Sequence, residues 1–267
     1  MPLKILQGER HADFFIEGGQ PAALLIHGFP GTPAEIRPLA NMLNAAGWTT
    51  RGLLLPGFGA QIDSLPQRQS HEWIDAAVEA LRSLQATHHP VILIGYSMGA
   101  AISIHAAARL QPDRLILLAP FWKFGTRGQR AIFRLTKPIV RHLKPLGRAN
   151  FNDPRLRNFL EQFLQDADLD DAEVQLLIRR TKVPVDLFEQ IYTLGQGAYQ
   201  LAGQIDLPTL VIQGRRDPVV KPEYTQQLMQ QFTGPIEYVE IDAEHDLIDP
   251  ALPDWPRLEN AVLDFIR

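Results

Sequence analysis

The chain has 267 residues, 26 basic and 30 acidic side chains, a formal net charge of −4 and no cysteine. That length suits one large α/β unit, and 45% apolar residues can bury a sizeable core, which argues against a disordered chain. Zero cysteine excludes a disulfide framework, thiolate metal sites and a cysteine nucleophile, and the mild acidity gives no overall attraction to nucleic acid.

Along the chain, short β-branched runs alternate with longer helical patterns. Lys4, Glu9, Arg10 and Asp13 interrupt the N-terminus before any apolar run develops, so no signal peptide is read and a soluble, cytoplasmic protein is expected. Strands are predicted at 4–6, 13–17, 22–27, 49–54, 91–95, 114–119, 209–213 and 236–241. From the third onward they are nearly continuous apolar runs, as expected of strands covered on both faces. Thr32-Pro33-Ala34-Glu35 has the pattern of a capping box with proline at the first helical position, opening a helix over 33–46 that Gly47 ends. Further helices are predicted at 70–86, 98–111, 221–232 and 256–266. The last carries Leu258, Ala261, Val262 and Phe265 on one apolar face. The uncharged stretch 91–108 is near membrane-span length, but Gly95, Tyr96, Ser97, Gly99 and His105 within it suit a buried strand turning into a buried helix.

Such alternation implies right-handed crossovers and a mostly parallel sheet flanked by helices. Between 121 and 204 it lapses into helical and loop material with no convincing strand, with helix starts at Asn152-Asp153-Pro154 and Asp170-Asp171-Ala172-Glu173. The chain is therefore read as a core, 1–120 and 205–267, with a helical cap, 121–204, inserted after the sixth strand.

Gly95-Tyr96-Ser97-Met98-Gly99 puts a serine between a buried strand and a small-residue helix. A nucleophilic serine needs such a sharp turn to lift its hydroxyl above the sheet edge, and the helix N-terminus beside it favours developing negative charge. A tetrahedral intermediate also needs two N–H donors aimed at its oxyanion. Met98 supplies one. The loop His27-Gly28-Phe29-Pro30-Gly31 must supply the other, and since proline has no N–H, Phe29 is the candidate. His27 ends a buried strand and is read as tying down this loop. The serine needs a base, and the base an orienting carboxylate. His245 follows the last strand and Asp217 the one before it, both at carboxyl ends where open sheets place their sites. Asp242, Glu244 and Asp246 are rivals for the acid, but residues beside His245 cannot easily reach its ring.

Together the segments 27–31 and 95–99, Asp217 and His245 resemble the α/β-hydrolase superfamily. The segment 39–59, ending Leu55-Pro56-Gly57-Phe58-Gly59, resembles its bacterial carboxylesterase and monoacylglycerol-lipase-like branch. The resemblance implies an eight-stranded sheet, a cap over the site, and hydrolysis of carboxylic esters with apolar acyl chains through an acyl-enzyme. The His-Gly-Phe-Pro-Gly loop also resembles epoxide hydrolases and haloalkane dehalogenases, which carry an aspartate where this chain has Ser97. The same triad serves thioesterases, peptidases, C–C bond hydrolases and cofactor-free haloperoxidases, and the fold can also act as a non-catalytic binding module.

A small-molecule ester is thus the expected partner, with no metal and no cofactor. Phe121, Trp122 and Phe124 open the insertion with an apolar lining for the substrate. Residues 121–149 hold eight Lys or Arg and no Asp or Glu. From Arg127 to Lys144 the cations recur at spacings of three and four. An ordinary amphipathic cap explains this stripe; a lipid-docking face is the rival expectation.

Overall fold

The computed structural model describes residues 6, 8–125, 141–144, 146–154, 156–157, 160, 168–180 and 182–267. Seven strands form the main sheet: β1 (Phe14–Ile16), β2 (Ala22–Ile26), β3 (Thr49–Leu53), β4 (Val91–Tyr96), β5 (Arg114–Leu118), β8 (Thr209–Gly214) and β9 (Ile236–Ile241). Their order is β1-β3-β2-β4-β5-β8-β9; β1 runs antiparallel to β3 and every other pairing is parallel. Of the predicted strand at 4–6 only Leu6 is described, and it lies in a turn.

Side-chain alternation in the strands divides the core into two layers. Ala22, Leu24, Ile26, Leu93 and Leu117 face one side, where they meet Trp73 and Leu81 of α2 (Ser70–Gln85) and Ala101 and Ile104 of α3 (Met98–Leu110). Ala23, Leu25, Ile94, Ile116 and Ile212 face the other. There they meet Ile36, Leu39 and Leu43 of α1 (Pro33–Ala45) and the predicted apolar face, led by Leu258, Val262 and Phe265, of the C-terminal helix (Trp255–Ile266). Over the central strands β2, β4, β5 and β8 both faces are covered, and that accounts for their nearly continuous apolar runs. The uncharged stretch becomes β4 and α3; among the described residues no helix is long and apolar enough to cross a membrane.

Helix α1 forms where predicted, and Gly47 behind it takes φ +91°. Its capping box does not form. Thr32 makes no side-chain cap; its Oγ1 instead meets Nδ1 of His11 at 2.8 Å. Glu35 reaches past Thr32 and accepts the N–H of Gly28 at 2.5 Å.

Within 121–204 the described residues include helices α4 (Ala172–Arg180) and α5 (Val185–Leu201), and Pro154, Leu156 and Arg157 are helical as their start signal predicts. Two strands not expected there, β6 (His142–Leu143) and β7 (Val183–Pro184), form one antiparallel pair. Two residues are too few for a period to show in a sequence. Phe151, Leu160, Leu169 and Ile178 make a small core of their own. Helix α5 does not belong to it: Leu187, Ile191, Leu194 and Ala198 join the layer of α2 and α3, and His105 of α3 meets the carbonyl of Leu194 at 3.0 Å. Of the basic stripe, Arg127, Arg130, Arg134 and Lys137 lie outside the described residues, while Arg141 and Lys144 are exposed.

Candidate active site

Ser97 joins β4 to α3 with φ 53° and ψ −113°, a backbone position rarely taken by a residue with a side chain. The neighbouring strand end holds it there: Ser97 N–H donates to Leu118 O at 2.8 Å, and Phe121 N–H donates to Ser97 O at 3.2 Å. The flanking glycines record two close approaches. A Cβ on Gly95 would stand 2.5 Å from the Ala100 Cα, and one on Gly99 only 2.3 Å from the Ile26 carbonyl oxygen. Neither partner is a flexible side chain that could give way.

His245 lies beyond β9, its carbonyl accepting the Tyr96 hydroxyl at 2.8 Å. Its Nδ1 is 2.7 Å from Asp217 Oδ2 and its Nε2 is 2.9 Å from Ser97 Oγ. An ionised carboxylate only accepts, so the Asp217 contact puts the ring proton on Nδ1 and leaves Nε2 to accept the serine hydroxyl. Asp217 is itself fixed: the N–H groups of Val219 and Val220 donate to Oδ1 at 2.8 Å each, and Gln213 Nε2 donates to Oδ2 at 3.3 Å. Thr225 Oγ1 holds the Gln213 carbonyl oxygen at 2.6 Å. The chain of bonds from Thr225 to Ser97 is continuous. A serine so placed can pass its proton to the imidazole as it attacks.

Of the rival carboxylates, Asp242 is paired away from His245. Asp242 sits 3.3 Å from Arg216 Nε, and Arg215 lies 3.9 Å from Glu240; such exposed pairs contribute between zero and about 1 kcal/mol each. Asp246 lines a cavity with Arg10, Glu35 and Tyr96. Among the described residues no group of three or more His, Asp or Glu could hold a metal ion.

The loop after β2 lies against the serine, since a Cβ on Gly28 would stand 3.2 Å from that of Ser97. Phe29 packs its ring edge-on to Phe58 and to Phe188 of α5, and Met98 is the first residue of α3. His27 is fully buried, with Leu55 N–H donating to Nε2 at 3.2 Å and Nδ1 bonded to Gly28 O at 2.8 Å. It ties two loops together, with both ring nitrogens engaged away from Ser97 Oγ.

Burial pushes the His27 imidazole down from 6.5 to about 4, against a smaller upward pull from Gly28. The unfolded chain then binds the extra proton first. His27 contributes its full stability above pH 6.5, and this should be lost as pH falls toward 4, a change on the order of 3 kcal/mol. His27→Gln keeps a donor and an acceptor but cannot titrate. Denaturant unfolding at stepped pH should show a shallower acid decline than the parent; an identical decline would disprove the assignment.

Of the three aromatics predicted to line the site, Phe121 stacks on Phe124 at 6.4 Å, and Phe124 meets Tyr192 of α5 edge-on at 5.3 Å. Trp122 is buried, stacked 4.1 Å from Tyr199 with its indole N–H donated to Tyr224 O at 2.7 Å. Three participants were not singled out for this site beforehand: Tyr96, Gln213 and Glu35. Tyr96 and Gln213 carried a signal, because each is a polar residue near the end of an otherwise apolar strand.

The family model described as serine aminopeptidase, S33, matches residues 20–245. A thermostable monoacylglycerol lipase of Bacillus sp. (strain H-257) is 32% identical over 100 residues, 38% of this chain and 40% of the lipase. The match thus spans about two-fifths of that relative's length. The AB hydrolase superfamily protein YisY of Bacillus subtilis (strain 168) is 26% identical over 248 residues, covering 84% of this chain and 85% of YisY. A solved structure from the metagenome-derived lipolytic enzymes LipS and LipT superposes with a TM-score of 0.77 at 21% identity, covering 98% of this chain and 99% of that one.

Proposed function

This chain belongs to the α/β-hydrolase family whose model is described as serine aminopeptidase, S33, and we propose that it is a serine hydrolase of carboxylic esters with apolar acyl chains. The observation that carries this reading is the continuous bonding from Asp217 through His245 to Ser97 at the carboxyl ends of the strands. In this mechanism Ser97 Oγ attacks the ester carbonyl while His245 Nε2 takes its proton. Asp217 holds the imidazole tautomer and stabilises the imidazolium. The N–H groups of Phe29 and Met98 receive the oxyanion. His245 then returns the proton to the departing alcohol, and water, activated by the same imidazole, releases the acid from Ser97.

The monoacylglycerol lipase likeness and the aromatic wall of Phe121, Trp122 and Phe124, with Tyr192 beside it, support an apolar acyl group. On this reading 1–120 and 205–267 are the core and 121–204 the cap, which α5 anchors through His105. The family description also names a peptidase, so the test must include one. A panel of nitrophenyl esters from two to sixteen carbons, with an aminoacyl nitroanilide beside it, should give kcat/KM rising with acyl length before falling, and far slower anilide cleavage. Faster turnover of the anilide than of every ester would overturn the reading.

A further inference from the structure

Glu35 is placed where a helix cap would be expected, yet it does not cap. Its carboxyl turns back under the loop after β2 and accepts the Gly28 N–H, one peptide before the Phe29 N–H assigned to the oxyanion. Gly28 is wedged in place: a Cβ there would stand 3.2 Å from the Ser97 Cβ, 3.3 Å from the Tyr96 ring and 3.4 Å from Glu35 Oε1. Gly31 closes the other side, because its Cβ would lie 2.2 Å from Glu35 Oε2. The carboxyl therefore fills the hollow of the turn between residues 28 and 31, a space only two glycines leave open.

We propose that Glu35 is a positioning residue for the oxyanion loop, its carboxyl fixing the Gly28 peptide so that the next N–H, that of Phe29, points over Ser97. The proposal rests on the reading of Ser97 as nucleophile and Phe29 as oxyanion donor.

The charge state matters as much as the bond. A carboxylate beside the loop would oppose the oxyanion that forms there, whereas a neutral carboxyl holds the same peptide without that penalty. Burial raises Glu35 from 4.5 to about 8, outweighing the lowering by the Gly28 N–H. The groups facing it are Arg10 before β1, Tyr96 on β4, and Asp246 and Asp249 after β9. Tyr96 is pushed well above the usual tyrosine value, by burial first and then by the charges of Glu35, Asp217 and Asp246, so it stays protonated. As pH rises through about 8, Glu35 gains its charge and kcat should decline.

The experiment compares the parent with Glu35→Gln and Glu35→Ala on nitrophenyl butyrate, reading kcat and KM separately from about pH 6 to about pH 9. Glu35→Gln keeps an acceptor for Gly28 but cannot ionise, so it should match the parent within a few-fold at pH 7 and lose the alkaline decline. Glu35→Ala removes the acceptor and should lower kcat roughly 10- to 100-fold with little change in KM. A parent without the decline, a Glu35→Gln profile that keeps it, or a Glu35→Ala enzyme with parental kcat would each overturn the proposal. If Glu35→Ala fails to fold, the Glu35→Gln profile decides alone. Ser97→Ala runs alongside: turnover surviving there sinks the reading of the site itself. Loss of turnover there with parental behaviour in both Glu35 variants sinks only the positioning role.

Discussion

Ser97→Ala should lower kcat for any nitrophenyl ester by roughly 10⁴-fold or more and abolish labelling by a fluorophosphonate, while the protein still folds. The geometry makes this a clean substitution. Alanine inherits the same φ of 53° and the same backbone bonds to Leu118 and Phe121. Only the hydroxyl and its bond to His245 Nε2 are lost, a bond whose net contribution to stability is about 1 kcal/mol. Thermal melting should move by only a few degrees. Turnover surviving in Ser97→Ala would mean that another group attacks, and the mechanism drawn around this serine would fail.

Asp217→Asn should be nearly as severe, lowering kcat by roughly 10⁴-fold with the fold retained. The new amide oxygen can still receive the N–H groups of Val219 and Val220. Its NH₂ then faces His245 Nδ1, forcing that nitrogen to accept and moving the ring proton to Nε2, where it blocks uptake of the serine proton. It also confronts the Gln213 amide, donor against donor. Asp242→Asn and Glu244→Gln should stay within a few-fold of the parent. Kinetics on all three variants separates the readings: parental activity in Asp217→Asn with an inactive Asp242 or Glu244 variant would reassign the acid.

The parts of this molecule legible in its sequence are those governed by local period and local chemistry. Strands β2, β4, β5 and β8 could be located within a residue or two because each is a mainly apolar run closed by turn residues. The elbow at Ser97 was readable because glycine at 95 and 99 answers a steric demand within five residues. What could not be read depends on partners far along the chain. Thr32 and Glu35 have the correct spacing for a reciprocal cap. His11, twenty-one residues upstream, takes the threonine, and the Gly28 N–H in the loop after β2 takes the glutamate. Propensity describes what a cap residue does when nothing better is offered, and here tertiary contacts offered more. Gln213 is similar: its role as a brace for Asp217 appears only once Thr225 folds back beside β8.

Ser97 ends β4 in the middle of the seven strands, whereas His245 hangs beyond β9 at the margin of the sheet. A marginal strand has a pairing partner on one side only, and β9 is partly exposed along most of its length. Such an element can detach at a fraction of the free energy needed to unravel the centre. On the proposed mechanism, hydrolysis therefore depends on a strand at the margin of the sheet and not on its centre alone. The Tyr96 hydroxyl, reaching from the central strand to the His245 carbonyl, straps that margin to the middle. On that mechanism, opening of β9 should take His245 away while Ser97 keeps its strained turn, so activity should be lost before the centre of the sheet unravels.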